Sequence, residues 1–99
     1  DVVTVLVAAN ANLNLVEQGG NSALHIAAMG GSVEVVTILV AAKANLNLVT
    51  TDGKSALLWA AEKGIAEMVK VLVAANANLD LVNEFGRSAL HYAAEKGIA

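Results

Sequence analysis

One phrase returns through this chain at a fixed interval. It reads "SALHIAA" from Ser22, "SALLWAA" from Ser55 and "SALHYAA" from Ser88, each 33 residues after the last. Other positions keep the same step. Gly20, Gly53 and Gly86 precede each phrase, Gly31, Gly64 and Gly97 follow it, and Asn12, Asn45 and Asn78 each stand before a Leu. Residues 17–49 and 50–82 share 18 of 33 identities, and residues 1–16 share 12 of 16 with 67–82. A fixed period of this length means that one supersecondary unit is repeated and stacked. The lattice covers 1–99 without a linker, as a second half of a unit (1–16), two whole units (17–49, 50–82) and a first half (83–99).

One unit can be read from its residues. Ser22 stands before the run "ALHIAA" as a helix N-cap, its hydroxyl free to accept from an early backbone N–H. Leu24, Ala27 and Ala28 then fall on one helical face. Gly31 ends this helix, because glycine accepts the left-handed backbone of a C-terminal cap. A second helix runs through "SVEVVTILVAAK", with Val35, Val36, Leu39 and Val40 as a wide apolar stripe. The stretch "ANLNLVTTDGKS" that follows has turn chemistry. A pair of short helices cannot bury both its faces alone, but stacked pairs can. The expected fold is therefore an all-α repeat solenoid.

Composition narrows the function. The chain is 57% hydrophobic and 15% charged, with one Trp, one Tyr and one Phe, so its apolar mass is Ala, Val and Leu. The apolar runs at 33–49 and 68–82 are interrupted by Asn and by Glu, Lys or Asp, which argues against membrane insertion. Net charge is −3 and no basic block is present, which argues against nucleic acid. The absence of cysteine excludes disulfides and thiolate zinc sites and points to an intracellular setting, cytoplasmic or nuclear.

These residues resemble the ankyrin repeats. That family's T-P-L-H-x-A-A appears as the three Ser-Ala-Leu phrases, its G-A-D-V-N as "NANLN", "KANLN" and "NANLD", and its period is the same. The resemblance implies L-shaped helix-turn-helix units joined by hairpin-like loops, with protein binding as the usual work. It also implies that His25 and His91 bond loop backbone. The chain departs from the family at Ala23, Ala56 and Ala89, where Pro is usual at the first helical position. It departs again at Asn10, Lys43 and Asn76, where the loop has Gly, and at Leu58, which replaces His. Asn tolerates a left-handed backbone, whereas Lys43 should carry strain of very roughly 1 kcal/mol.

No catalytic or cofactor site is expected. Two repeats of about 10 Å each separate His25 from His91, too far to share a metal. "GKS" at 53–55 lacks the earlier Gly of a phosphate loop, since Leu48 stands there. The Glu62–Lys63 and Glu95–Lys96 pairs read as solvated helix ends, and no nucleophile comes with a base and an orienting group. The Asn lattice reads as side chains that satisfy loop backbone. By resemblance, Asn14 and Asn47 occupy the position that asparaginyl hydroxylases modify in some ankyrin repeats, although the usual acidic residue two positions earlier is Asn here.

The residues that point to a binding face also recur. Ile26, Trp59 and Tyr92 form a stripe that, by resemblance, borders the concave face. Loop tips add Asp52, Lys54, Phe85 and Arg87, and first-helix ends add Met29, Glu62, Lys63, Glu95 and Lys96. Trp, Tyr and Arg dominate interface energetics. The alternative is that Trp59 and Tyr92 only cover the seam between units.

The expected function is a non-catalytic protein-interaction module, an excerpt of a longer array that binds another protein through its loop tips and first-helix face. The alternative is a structural module that self-associates head to tail. "VVTVLVAA" at one end is a second helix without its first, "SALHYAAEK" at the other a first helix without its second, and neither end carries a polar cap.

Overall fold

Each repeated serine starts a helix. In the computed structural model, which describes residues 2–97, Ser22, Ser55 and Ser88 have extended backbones, and their hydroxyls accept from the N–H groups of His25, Leu58 and His91. Six helices result among the described residues: α1 (Val2–Ala8), α2 (Ala23–Gly30), α3 (Val33–Ala41), α4 (Ala56–Lys63), α5 (Ala66–Ala74) and α6 (Ala89–Lys96). There is no strand among them. The first helices α2, α4 and α6 end at Gly31, Gly64 and Gly97, all left-handed. An excerpt cut at Asp1 and Ala99 concerns residues outside those described.

The helices form two layers. α2, α4 and α6 pack in a row, α1, α3 and α5 pack in a second row, and α2 meets α3 as α4 meets α5. The body is elongated, 40 × 27 × 21 Å. The core lies between the layers: Leu24, Ala28, Ala56, Leu57 and Ala60 from one side, Val36, Leu39, Met68 and Leu72 from the other. Alanine at the helix contacts lets the axes approach closely. The interior helices hold nearly all of this core, whereas α1 and α6 bury no residue.

The loops are tied from unit to unit. Each tip closes as a tight turn, with Glu17 N–H donating to Asn21 C=O, Thr50 to Lys54 and Asn83 to Arg87. Thr51 N–H donates to Gly19 C=O across the seam, at 2.9 Å. Gly20 and Gly53 have φ of +79° and +78°, and a Cβ on either would lie 3.2 or 3.3 Å from backbone of the next loop. Only glycine suits both the dihedral and the approach.

The asparagines do more than the sequence indicates. Asn12, Asn45 and Asn78 each accept through Oδ1 from the N–H two residues on. Asn14 and Asn47 instead reach across the seam, accepting from Asn45 N–H at 2.9 Å and Asn78 N–H at 2.8 Å. They form a ladder of backbone bonds between units.

His25 takes the structural part that the resemblance implies. Its Nδ1 accepts from Ser22 N–H at 3.0 Å, and its Nε2–H donates to Leu48 C=O at 2.9 Å. Burial lowers its pKa from the ordinary 6.5, and bonds to backbone at Leu48 and Lys54 offset part of that. His91 repeats only the first bond, with Nδ1 accepting from Ser88 N–H at 2.9 Å. Leu58 gives up both bonds and is buried instead.

Two predictions follow from this backbone. Lys43 has φ of +70°, while Asn10 and Asn76 share the conformation with a better-suited side chain. Lys43→Gly should raise the unfolding free energy by about 0.5–1 kcal/mol in urea titration, and no gain would mean that the cap carries no strain. For His25, the unfolded ring gains a proton near pH 6.5 and the folded ring resists until lower pH. Stability should therefore fall as pH drops below 6.5, until the folded ring protonates as well. Wild type should lose more stability than His25→Leu between pH 7.5 and 5.5 in paired denaturant titrations, and parallel losses would remove His25 as the cause.

Candidate functional site

Lys54 stands at the end of a loop tip, five residues before Trp59 and eight before Glu62. Helix α4 starts between them and brings all three together. The Lys54 ammonium lies 4.1 Å from the centre of the Trp59 ring and 2.9 Å from Glu62 Oε2. One cation thus meets a π face and a carboxylate at once. Its side chain is 19% exposed, so both contacts are partly shielded from water.

The same arrangement returns one period later on α6. The Arg87 guanidinium carbon lies 4.6 Å from the centre of the Tyr92 ring, and Nη2 donates to Glu95 Oε2. Here the ring is held at its far end as well, since Asn83 Nδ2 donates to Tyr92 Oη at 2.6 Å. Asn83 Oδ1 accepts from the N–H groups of Phe85 and Arg87, which fixes the loop under the guanidinium. Thr50 has the equivalent place one unit earlier, where its hydroxyl accepts from Lys54 N–H. Rings held between a cation and a fixed loop need little further ordering before they meet a partner.

The first unit carries no such triad. Asn21, Ile26 and Met29 occupy its three positions, and Asn21 bonds Glu17 instead. Ile26 is 50% exposed and Met29 39% exposed. The face therefore runs from an apolar first unit to two units built of cation, ring and carboxylate.

Glu62 and Glu95 are thus not simply solvated helix ends, as the sequence suggests, because each is drawn onto a cation eight residues earlier. Lys63 and Lys96 are exposed, each in the last turn of its helix. Asp52 and Phe85 share one loop-tip position, both exposed, and neither joins a triad; Phe85 is 75% exposed. Asn83 and Thr50 were not legible as site residues, because nothing in the sequence sets them apart from other turn residues. Two donors on this face, Trp59 Nε1 and Arg87 Nε, are buried and have no hydrogen-bond partner. Such a group costs about 1–3 kcal/mol.

No cluster of three or more His, Asp or Glu that could hold a metal ion occurs among the described residues. No helix among them is long and apolar enough to cross a membrane. A family model described as ankyrin repeats (3 copies) matches residues 1–83 and 42–99. No curated protein matches the chain.

The two ion pairs differ in shielding, which their energies should reflect. The Lys54 and Glu62 side chains are 19% and 34% exposed, those of Arg87 and Glu95 35% and 60%. A double-mutant cycle to Ala should give a coupling of about 0.5–1 kcal/mol for Lys54–Glu62 and less for Arg87–Glu95. Equal or inverted couplings would mean that burial does not set the strength of these pairs.

Proposed function

The chain belongs to the ankyrin repeat family, and on that premise we propose that it is a non-catalytic module that binds another protein through the first-helix face. Ankyrin repeats are generally protein–protein interaction modules and typically non-catalytic. The observation that carries this reading is the pair of triads Lys54–Trp59–Glu62 and Arg87–Tyr92–Glu95, one period apart on adjacent helices. A ring needed only to seal a seam gains little from a cation and a carboxylate on its exposed side. A ring needed as an anchor gains a fixed orientation and a polar surround that keeps water off the contact.

Phe85 and Asp52 extend the face along the loop tips, and Lys63, Lys96 and Met29 form its rim at the helix ends. Binding is centred on the second and third units, with the apolar Ile26 and Met29 at its border. An intracellular setting, cytoplasmic or nuclear, belongs to the same reading, on the ground of the cysteine-free sequence. Hydroxylation of Asn14 and Asn47 is part of it only by resemblance; both side chains are exposed, and their Oδ1 atoms already serve the next unit.

The test is capture of partners from cell extract, followed by titration of the partner found. Trp59→Ala, Tyr92→Ala and Arg87→Ala should each weaken binding by roughly 10-fold or more, as central anchors do. Glu34→Ala, on an exposed position of the second-helix layer, should leave it unchanged. If all three face variants bind like wild type, the proposed face is wrong.

A further inference from the structure

The stripe of Ile26, Trp59 and Tyr92 has a step as well as a composition. The three residues hold one lattice position on α2, α4 and α6, which pack side by side. Packed helices lie about 10 Å apart, so the stripe offers an anchor at about that interval. An α-helix rises about 1.5 Å per residue. Seven residues of helix therefore span about one step, and residues seven apart point nearly the same way, with a drift of about 20°. A strand covers the step in about three residues, and an odd number turns the side chain to the opposite face. The stripe thus matches a helix laid across α2, α4 and α6, not a strand.

The width of the face agrees. Trp59, Glu62 and Lys63 fall at i, i+3 and i+4 on one side of α4, as Tyr92, Glu95 and Lys96 do on α6. Glu62 and Glu95 are drawn to Lys54 and Arg87. Lys63 and Lys96 are exposed and make no ion pair among the described residues. At the opposite edge, Asp52 and Glu84 on the loop tips are exposed and equally unpaired. A helix of 8 residues separates the two edges, a length of about 12 Å. That is also the diameter of about 10–12 Å that a helix has with its side chains. A single strand takes about 5 Å of width and reaches one edge only.

Charge then decides what the occupant carries on its two sides. The chain has a net charge of −3, but this face is not of one sign. Carboxylates line the loop tips, ammonium groups line the helix ends, and the apolar stripe runs between them. We infer that the segment bound here is an amphipathic α-helix of another protein, with apolar residues at i, i+7 and i+14 on Ile26, Trp59 and Tyr92. Its basic flank meets Asp52 and Glu84, and its acidic flank meets Lys63 and Lys96. This rests on the first-helix face being the binding face, and it adds what that face selects.

Trp59 is the only tryptophan, so its fluorescence reports occupation of the stripe. The probes are synthetic peptides of about 18 residues, about five turns of helix. The first has Leu at every seventh position, Arg along one flank and Glu along the other. The second has the same composition with Leu at alternate positions, as in a strand. The third is the first with a central Pro, which breaks a helix. The first should bind about 10-fold more tightly than the others, and its helicity should rise on binding. Changing Lys63→Glu and Lys96→Glu together alters exposed positions, so wild-type helicity should be kept by circular dichroism. That double variant should bind the first peptide about fivefold more weakly at low salt and should prefer a peptide with Arg on both flanks. Second or third peptides that bind as well as the first overturn the inference, and so does a first peptide that does not bind. Either result leaves the binding face itself standing, because that face is tested separately by Trp59→Ala against a captured partner.

Discussion

Every helix in this molecule depends on a neighbour to cover it. Helices of 7 to 9 residues are too short to persist alone. What holds them is burial that no single unit completes. Leu24, Leu57 and Leu90 show this with chemistry held constant: one residue, one lattice position, buried twice and bare once. Burying such a side chain is worth about 2 kcal/mol, so each additional neighbour changes the stability of the unit before it. The loops obey the same rule. Asn14, Asn47 and Gly19 each accept from a backbone N–H of the next unit, and His25 of α2 donates to the loop carbonyl of Leu48, 23 residues on.

Where a local rule is broken, packing compensates. The N-cap of α5 is Ile65, whose side chain makes no capping bond, whereas Ser32 caps the equivalent α3. Ile65 packs against the core, and its Cδ1 lies over Gly31 of the preceding unit. Leu58 makes the same exchange in the middle of the stack. It forfeits the bonds that His25 makes to Ser22 and Leu48 and adds a fully buried apolar side chain. Both exchanges occur in the second unit, which has neighbours on both sides. There burial is most complete, and a lost polar bond is most easily offset.

The period, the serine caps, the glycine stops and the left-handed backbone at Lys43 were all legible, because each is a local demand on one residue type. So was the use of asparagine to satisfy loop backbone. The direction of the second set of asparagine bonds was not, since Asn14 to Asn45 spans 31 residues and depends on how far apart the units stack. The triads were only half legible. The residues recurred at the right spacing, but the distance from Lys54 to Glu62 crosses a loop-to-helix junction, and no helical or strand period describes it. Glu62 therefore read as a solvated end until the junction's geometry placed it on a cation.

The first-helix face and the outer sides of α1 and α6 differ in how their side chains are held. On the first-helix face, rings and cations are fixed by bonds made within their own unit, so that face exists whether or not anything is bound. At α1 and α6 nothing fixes the exposed Val2, Leu6 and Leu90 except the backbone beneath them, and their counterparts elsewhere in the chain are core. A surface of the first kind can wait in water at little cost and be selective, because its charges must be matched by whatever meets it. A surface of the second kind costs free energy for as long as it is wet.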